Sequence, residues 1–328
     1  MKDQIEETTT KTQNYSLEFF GKGSEFFSIM IVNWLLTIIT FGLYYPWARA
    51  KNLRYIYGQT ALNNERFHFS GTGKEMFIGF LKIIGLYIVF ILLVSAIWFI
   101  ATSSGLTWMI ILASFLPYLA ILAIIPFAIH GSLRYRMSRT SYRSIRLGYR
   151  GNRNELVKNY YKWIFFTIIT LGIYGAWLSM NLRRFTHKHI RYGDVEFSNN
   201  CNGLDWFLLN LKGYLLSIIT IGIYTFWWQR DMFNYYWNNL KLKKGDQNIT
   251  CSSIATGGGF FELLIGNLLI IVFTLGLGSP WAYIRTQKFI CDNVEMEGDI
   301  NLDEIQQTEE QYNNALGEDA MDYLDLEV

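Results

Sequence analysis

The chain has 328 residues, of which 51% are hydrophobic, 17% aromatic and 17% charged, with a formal net charge of +2. Ordinary globular chains carry about 25% charged residues, so the composition excludes a typical soluble domain, and four Pro and three Cys exclude collagenous and disulfide-framework classes. The small net charge hides a split: thirteen acidic residues and no Lys or Arg lie from Cys291 onward, leaving 29 basic against 14 acidic residues in the first 290.

In chain order, residues 1–13 are polar, contain Glu6, Glu7 and a Thr run, and show no apolar core before a cleavage site, which argues against a secretory signal peptide. Six apolar segments follow, each read as a membrane helix of about 20 residues. The first is Phe26 to Ala48; the second begins near Met76 and divides at 102–105 from the third, which ends near Ile129. Trp163 to Leu182, Trp206 to Trp228 and Leu263 to Ile284 complete the set. The tail, 291–328, reads as a solvated, disordered extension or as a docking arm for a basic protein partner.

Internal repetition is the strongest feature. Four segments end in one phrase: Thr40-Phe-Gly-Leu-Tyr-Tyr-Pro-Trp47, Thr170-Leu-Gly-Ile-Tyr-Gly-Ala-Trp177, Thr220-Ile-Gly-Ile-Tyr-Thr-Phe-Trp227 and Thr274-Leu-Gly-Leu-Gly-Ser-Pro-Trp281. Each starts at an acid followed by an apolar residue: Glu25-Phe26, Glu155-Leu156, Asp205-Trp206 and Glu262-Leu263. The second copy runs from Glu75-Met76 to Pro126-Phe127 and is longer by one crossing helix and its loop. Repeats are placed near 15–65, 66–145, 146–195, 196–250 and 251–290, within a membrane domain of 14–290. After each apolar segment comes a basic stretch with Arg54-Tyr55, Arg134-Tyr135, Arg184-Phe185, Asn234-Tyr235 or Lys288-Phe289, then a short alternating segment and a Gly turn. The acid meets the positive end of the helix dipole. Trp47, Trp177, Trp227 and Trp281 suit a membrane interface. Gly42, Gly172, Gly222 and Gly276 are expected to loosen each helix just before it leaves the bilayer. The fold class expected is an all-α polytopic membrane protein with about six transmembrane helices, built from internal repeats with short extended segments and basic amphipathic helices between them.

The chain carries the Thr-Leu-Gly-Ile-Tyr-x-x-Trp phrase with a following Arg-Tyr, a Phe-x-Phe-x-Gly-x-Gly entry at Phe67 to Gly73, and this repeated arrangement over roughly residues 15–290. In these features the chain resembles the YjgN-like bacterial inner-membrane family. The resemblance implies a multi-pass protein of the bacterial cytoplasmic membrane, and it implies no activity. Gly278 departs from it, standing where other copies have Tyr44, Tyr174 and Tyr224.

Strict alternation of six crossings gathers more Lys and Arg on one face and favours both termini outside. The rival arrangement makes some repeat helices re-entrant, keeps every basic stretch inside and leaves both termini cytoplasmic. Chemistry is sparse. His187 and His189 sit two apart among Arg183, Arg184 and Arg191, not at the i, i+4 spacing of a zinc helix. Gly71-Thr-Gly-Lys74 lacks the first Gly and the Ser or Thr of a phosphate loop. No catalytic set emerges, so a non-enzyme without cofactor or metal is expected. Lys82 and Asn33 are candidates for a pathway or for helix contacts, whereas Lys162 and Lys212 are read as snorkelling. Arg54, Arg134 and Arg184 are candidates for lipid-phosphate contacts, so anionic lipids are possible partners beside the bilayer itself, and nucleic acid is not. A channel or transporter is weakly favoured, with a non-catalytic scaffold or lipid-binding envelope factor as the alternative.

Overall fold

The computed structural model describes residues 12–105 and 107–308, and residues 1–11 and 309–328, which hold most of both expected disordered ends, lie outside them. Five units share one plan, a strand, two helices and a strand. The first has β1 (Gln13–Tyr15) and β2 (Leu17–Phe19), then α1 (Gly23–Ile39), α2 (Tyr45–Gln59) and β3 (Thr60–Leu62). The second has β4 (Glu65–Arg66) and β5 (His68–Phe69), α3 (Gly73–Ser103), α4 (Thr107–Ser138) and β6 (Thr140–Tyr142). The third comprises β7 (Ile145–Tyr149), α5 (Arg153–Ile169), α6 (Gly175–Lys188) and β8 (Ile190–Tyr192). The fourth comprises β9 (Val195–Asn199), α7 (Gly203–Ile219), α8 (Thr225–Asn238) and β10 (Leu240–Lys244). The fifth comprises β11 (Gln247–Ser253), α9 (Gly257–Phe273), α10 (Ser279–Asp292) and β12 (Val294–Gly298).

The strands form a nine-stranded antiparallel sheet, β1-β12-β11-β10-β9-β8-β7-β6-β5, and a three-stranded sheet, β2-β3-β4. Only Ser16 separates β1 from β2 and only Phe67 separates β4 from β5, so the two sheets join into one circuit. First and last units meet through Gln13 opposite Gly298 and Tyr15 opposite Met296. Among the described strands, each end of one sheet continues directly into an end of the other. Tyr15, Tyr142, Tyr192, Val195 and Ile249, contributed by all five units, meet in one buried cluster, which places them inside the ring. Ile300, Leu302 and Ile305 pack into the same cluster, and Tyr15 donates to the Ile300 carbonyl at 2.5 Å.

The helices follow the circuit. The main contacts of each helix are with its two chain neighbours, and α10 returns to α1. Four of the five hairpins turn at the repeated phrase. Phe41, Leu171, Ile221 and Leu275 take φ between 50° and 52°, and the Gly after each takes φ between 88° and 94°, a conformation that glycine adopts without steric cost. The turn satisfies itself. Gly172 N–H donates to Thr167 O at 2.7 Å, Ile173 N–H to Thr170 O at 3.2 Å, and Tyr174 N–H to the Thr170 hydroxyl at 2.9 Å. The Thr40, Thr220 and Thr274 turns repeat this pattern, with each hydroxyl accepting from the fourth residue on.

These observations correct the six-helix expectation. Among the described residues, two helices are long and apolar enough to cross a membrane, α3 with 31 residues and α4 with 32. The first helices of the other hairpins have 17 residues, about 25 Å of rise against a hydrocarbon core of about 30 Å. At the Thr-x-Gly phrase the chain reverses; it does not pass on as a kinked helix. The protein is also not all-α, because the short alternating segments pair into the ring. Part of the expected disordered tail is ordered: residues 291–298 finish α10 and form β12.

Candidate functional site

The repeat phrase builds the joints between units. A Cβ on Gly73, Gly203, Gly257 or Gly23 would lie under 3 Å from the indole of Trp47, Trp177, Trp227 or Trp281 respectively. Each Trp therefore lies on the first helical Gly of the next unit, and Trp281 on Gly23 closes the circle. Phe127 and Arg153 replace this pair between the second and third units, where His130 Nε2 lies 2.9 Å from the Gly151 carbonyl.

The Arg-Tyr pair ties the same joints. The Arg54 guanidinium donates to Gly71 O at 3.1 Å, and that of Arg184 donates to Cys201 O, each in the turn leading to the next hairpin. Arg134 is engaged as well. The tyrosine at the second position of the pair looks back: Tyr55, after Arg54, accepts from Lys22 N–H at 2.8 Å, and Tyr235, after Asn234, accepts from Asn202 N–H at 2.8 Å, the N-caps of their own hairpins. Arg54 and Arg184 thus each donate to a protein carbonyl at a joint.

Asn33 is 2% exposed, and its amide donates to Asn52 Oδ1 at 3.0 Å. Asn267, at the matching place in the fifth unit, donates to Thr286 at 3.0 Å. Both are contacts between the helices of one hairpin. Lys82 is exposed on α3, and from it to Ser103 the helix rises about 31 Å, close to the hydrocarbon thickness of about 30 Å. His187 and His189 bond the Arg183 and Phe185 carbonyls through their Nδ1 atoms.

Opposite the β-ring, the four turns form a crown of apolar tips. Phe41 is 98% exposed, Leu171 and Ile221 94%, and Leu275 93%. The turns' backbone donors are internally bonded, as a non-aqueous setting requires.

The sequence pattern of the family described as "Bacterial protein of unknown function (DUF898)" matches residues 14–212 and 228–323. The chain belongs to this family. It is similar to Inner membrane protein YjgN of Salmonella typhimurium, at 25% identity over 92% of this chain and 93% of that protein. It is also similar to Inner membrane protein YjgN of Escherichia coli K12, at 41% identity over 25% of this chain and 21% of that protein. No solved structure matches it. The YjgN-like resemblance holds, and the chain is an inner-membrane protein of a family without an assigned function.

In this DUF898 chain the three thiols, Cys201, Cys251 and Cys291, are free and buried. Burial in the β-ring pushes the Cys251 thiol up to about 12. Its unfolded counterpart ionises near 9. The stabilisation is therefore whole below pH 9 and is lost as pH rises from 9 toward 12. Denaturant titrations at pH 8 and pH 10.5 are expected to show the loss, and Cys251→Ala to reduce it; equal pH slopes in the two proteins would refute the assignment.

Proposed function

We propose that the chain is a non-catalytic, lipid-engaging ring of the inner membrane, held by two crossings, α3 and α4, and seated in the near leaflet by its four short hairpins. The observation that supports this best is the crown of apolar tips, each on a turn whose N–H groups find partners within the turn. A tip carried through to water would expose Phe41, Leu171, Ile221 and Leu275 at a cost of about 1.5–3 kcal/mol each. Residues 83–133, which include the far loop between α3 and α4, hold no Lys or Arg, so the positive-inside rule puts the β-ring in the cytoplasm. A channel or transporter would need a path along the axis, and the ring interior there is filled by Tyr15, Tyr142, Tyr192 and Ile249. The lipid-engaging reading is preferred for that reason.

Single cysteines at Glu65, Glu196, Asp246 and Ser104 test the seating, since all four positions are exposed and the native thiols are buried. We expect Glu65→Cys, Glu196→Cys and Asp246→Cys to react with an impermeant maleimide from the cytoplasmic face, and Ser104→Cys from the periplasmic face. Opposite sidedness of positions 65 and 196 would overturn the reading. A proteoliposome flux above that of empty vesicles would return transport to first place.

A further inference from the structure

Superposing the units by their helix starts, Gly23, Gly73, Arg153, Gly203 and Gly257, brings out a correspondence among cations. The tenth residue of the first helix is Val32 in the first unit, then Lys82, Lys162 and Lys212 in the next three, and Gly266 in the fifth. In the fifth unit the cation comes from the partner helix, because the Arg285 guanidinium lies directly over Gly266. Four successive units therefore carry a positive charge at one height.

The three lysines are exposed and rise from apolar surface. Leu81, Leu86, Phe165, Leu211 and Leu215 beside them are 42–61% exposed. No described residue gives Lys82, Lys162, Lys212 or Arg285 a hydrogen bond or ion pair, in contrast to Arg139, Arg143, Arg191 and Arg230, which all pair with carboxylates. A bare cation in apolar surroundings is costly and seeks an anion. The height supplies one. Ile169 and Ile219 stand seven residues above Lys162 and Lys212, about 11 Å, so tips near the midplane place these lysines just inside the hydrocarbon edge, about 15 Å out. From there a lysine stem snorkels to the phosphate layer. The rise of α3 from Lys82 to the far loop sets the same boundary independently.

We propose that Lys82, Lys162, Lys212 and Arg285 form a binding arc for the phosphates of anionic phospholipids in the leaflet that faces the β-ring. The inference rests on the membrane seating proposed above and adds the lipid class and the residues. The arc selects by charge: a zwitterionic headgroup brings its own cation to each phosphate, whereas phosphatidylglycerol brings net negative charge to four unpaired donors.

The test uses the full chain in nanodiscs of equal phosphatidylglycerol and phosphatidylcholine, with retained lipids counted by native mass spectrometry after detergent release. We expect phosphatidylglycerol to be enriched in the wild type and the enrichment to fall about tenfold in the quadruple variant Lys82→Gln, Lys162→Gln, Lys212→Gln, Arg285→Gln. The charge-matched control Lys188→Gln, Lys241→Gln, Lys243→Gln, Lys288→Gln, which lies on or near the β-ring, should stay within twofold of wild type. Lys82→Arg, Lys162→Arg, Lys212→Arg should retain the preference, which separates lost charge from lost folding. Absence of enrichment in the wild type, or an equal fall in the control, overturns the arc. The sidedness of Glu65→Cys and Glu196→Cys reports on the seating alone, so the two can fail separately.

Discussion

Arg139→Ala is expected to lower stability by about 3 kcal/mol, the largest loss from a single side chain at the foot of the long hairpin. The Arg139 guanidinium donates to Glu75 Oε1 at 2.6 Å, and the two side chains are 17% and 19% exposed. Glu75 also closes the capping box of α3: its Oε2 accepts from Thr72 N–H at 3.1 Å, and its own N–H donates to the Thr72 hydroxyl at 3.3 Å. Tyr135 at the foot of α4 donates to the same carboxylate at 3.0 Å. One carboxylate therefore joins the start of α3 to the end of α4. Stranding a buried charge costs about 3–5 kcal/mol, and partial exposure here argues for the lower end. Glu75→Gln, which keeps the hydrogen-bonding shape, should lose about half as much. Denaturant midpoints in detergent measure both, and a loss under 1 kcal/mol for Arg139→Ala would show the pair to be incidental.

Gly203→Val should cost a comparable amount, about 3 kcal/mol, by forcing the third and fourth units apart. A Cβ there meets the Trp177 ring and its Cα under 3 Å away, so backbone must shift as well as a side chain. Overpacking by extra methyl groups costs about 1–3 kcal/mol, and a β-branched side chain against backbone falls at the upper end. Trp177→Ala alone leaves a cavity, yet joined to Gly203→Val it should recover part of the loss, and a double-mutant cycle measures that coupling. Strict additivity of the two changes would show that the contact does not carry the joint. Gly23→Val against Trp281 asks the same of ring closure, with the β1–β12 amides as the hydrogen-exchange readout.

Local patterns were legible because their causes are local. Thr-x-Gly-x-Tyr recurs since one hydroxyl, four residues before the amide it accepts from, can build a turn with no help from the rest of the chain. Whether that turn bends a helix or reverses it was not legible, because a Gly near a helix end serves either purpose; the positive φ at Phe41, Leu171, Ile221 and Leu275 decides it. The matched acids misled in the fifth unit. Both α1 and α9 span 17 residues, so Gly259 is the true counterpart of Glu25, and Glu262 lies one turn further on. The carbonyls that accept from Arg54 and Arg184 were not legible, because Gly71 and Cys201 lie 17 residues further along the chain. The shared height of Lys82, Lys162 and Lys212 could have been found by counting from the helix starts, but their lack of partners could not.

By itself the sequence determined the membrane and the family, because hydropathy and the repeated phrase are properties of neighbouring residues. Only the tertiary structure decided the topology. Strands of two to seven residues are too short to declare themselves, and the pairing that closes the circuit joins Gln13 to Gly298 across nearly the whole described chain. That contact brings every strand to one end and turns the apolar tips to the other.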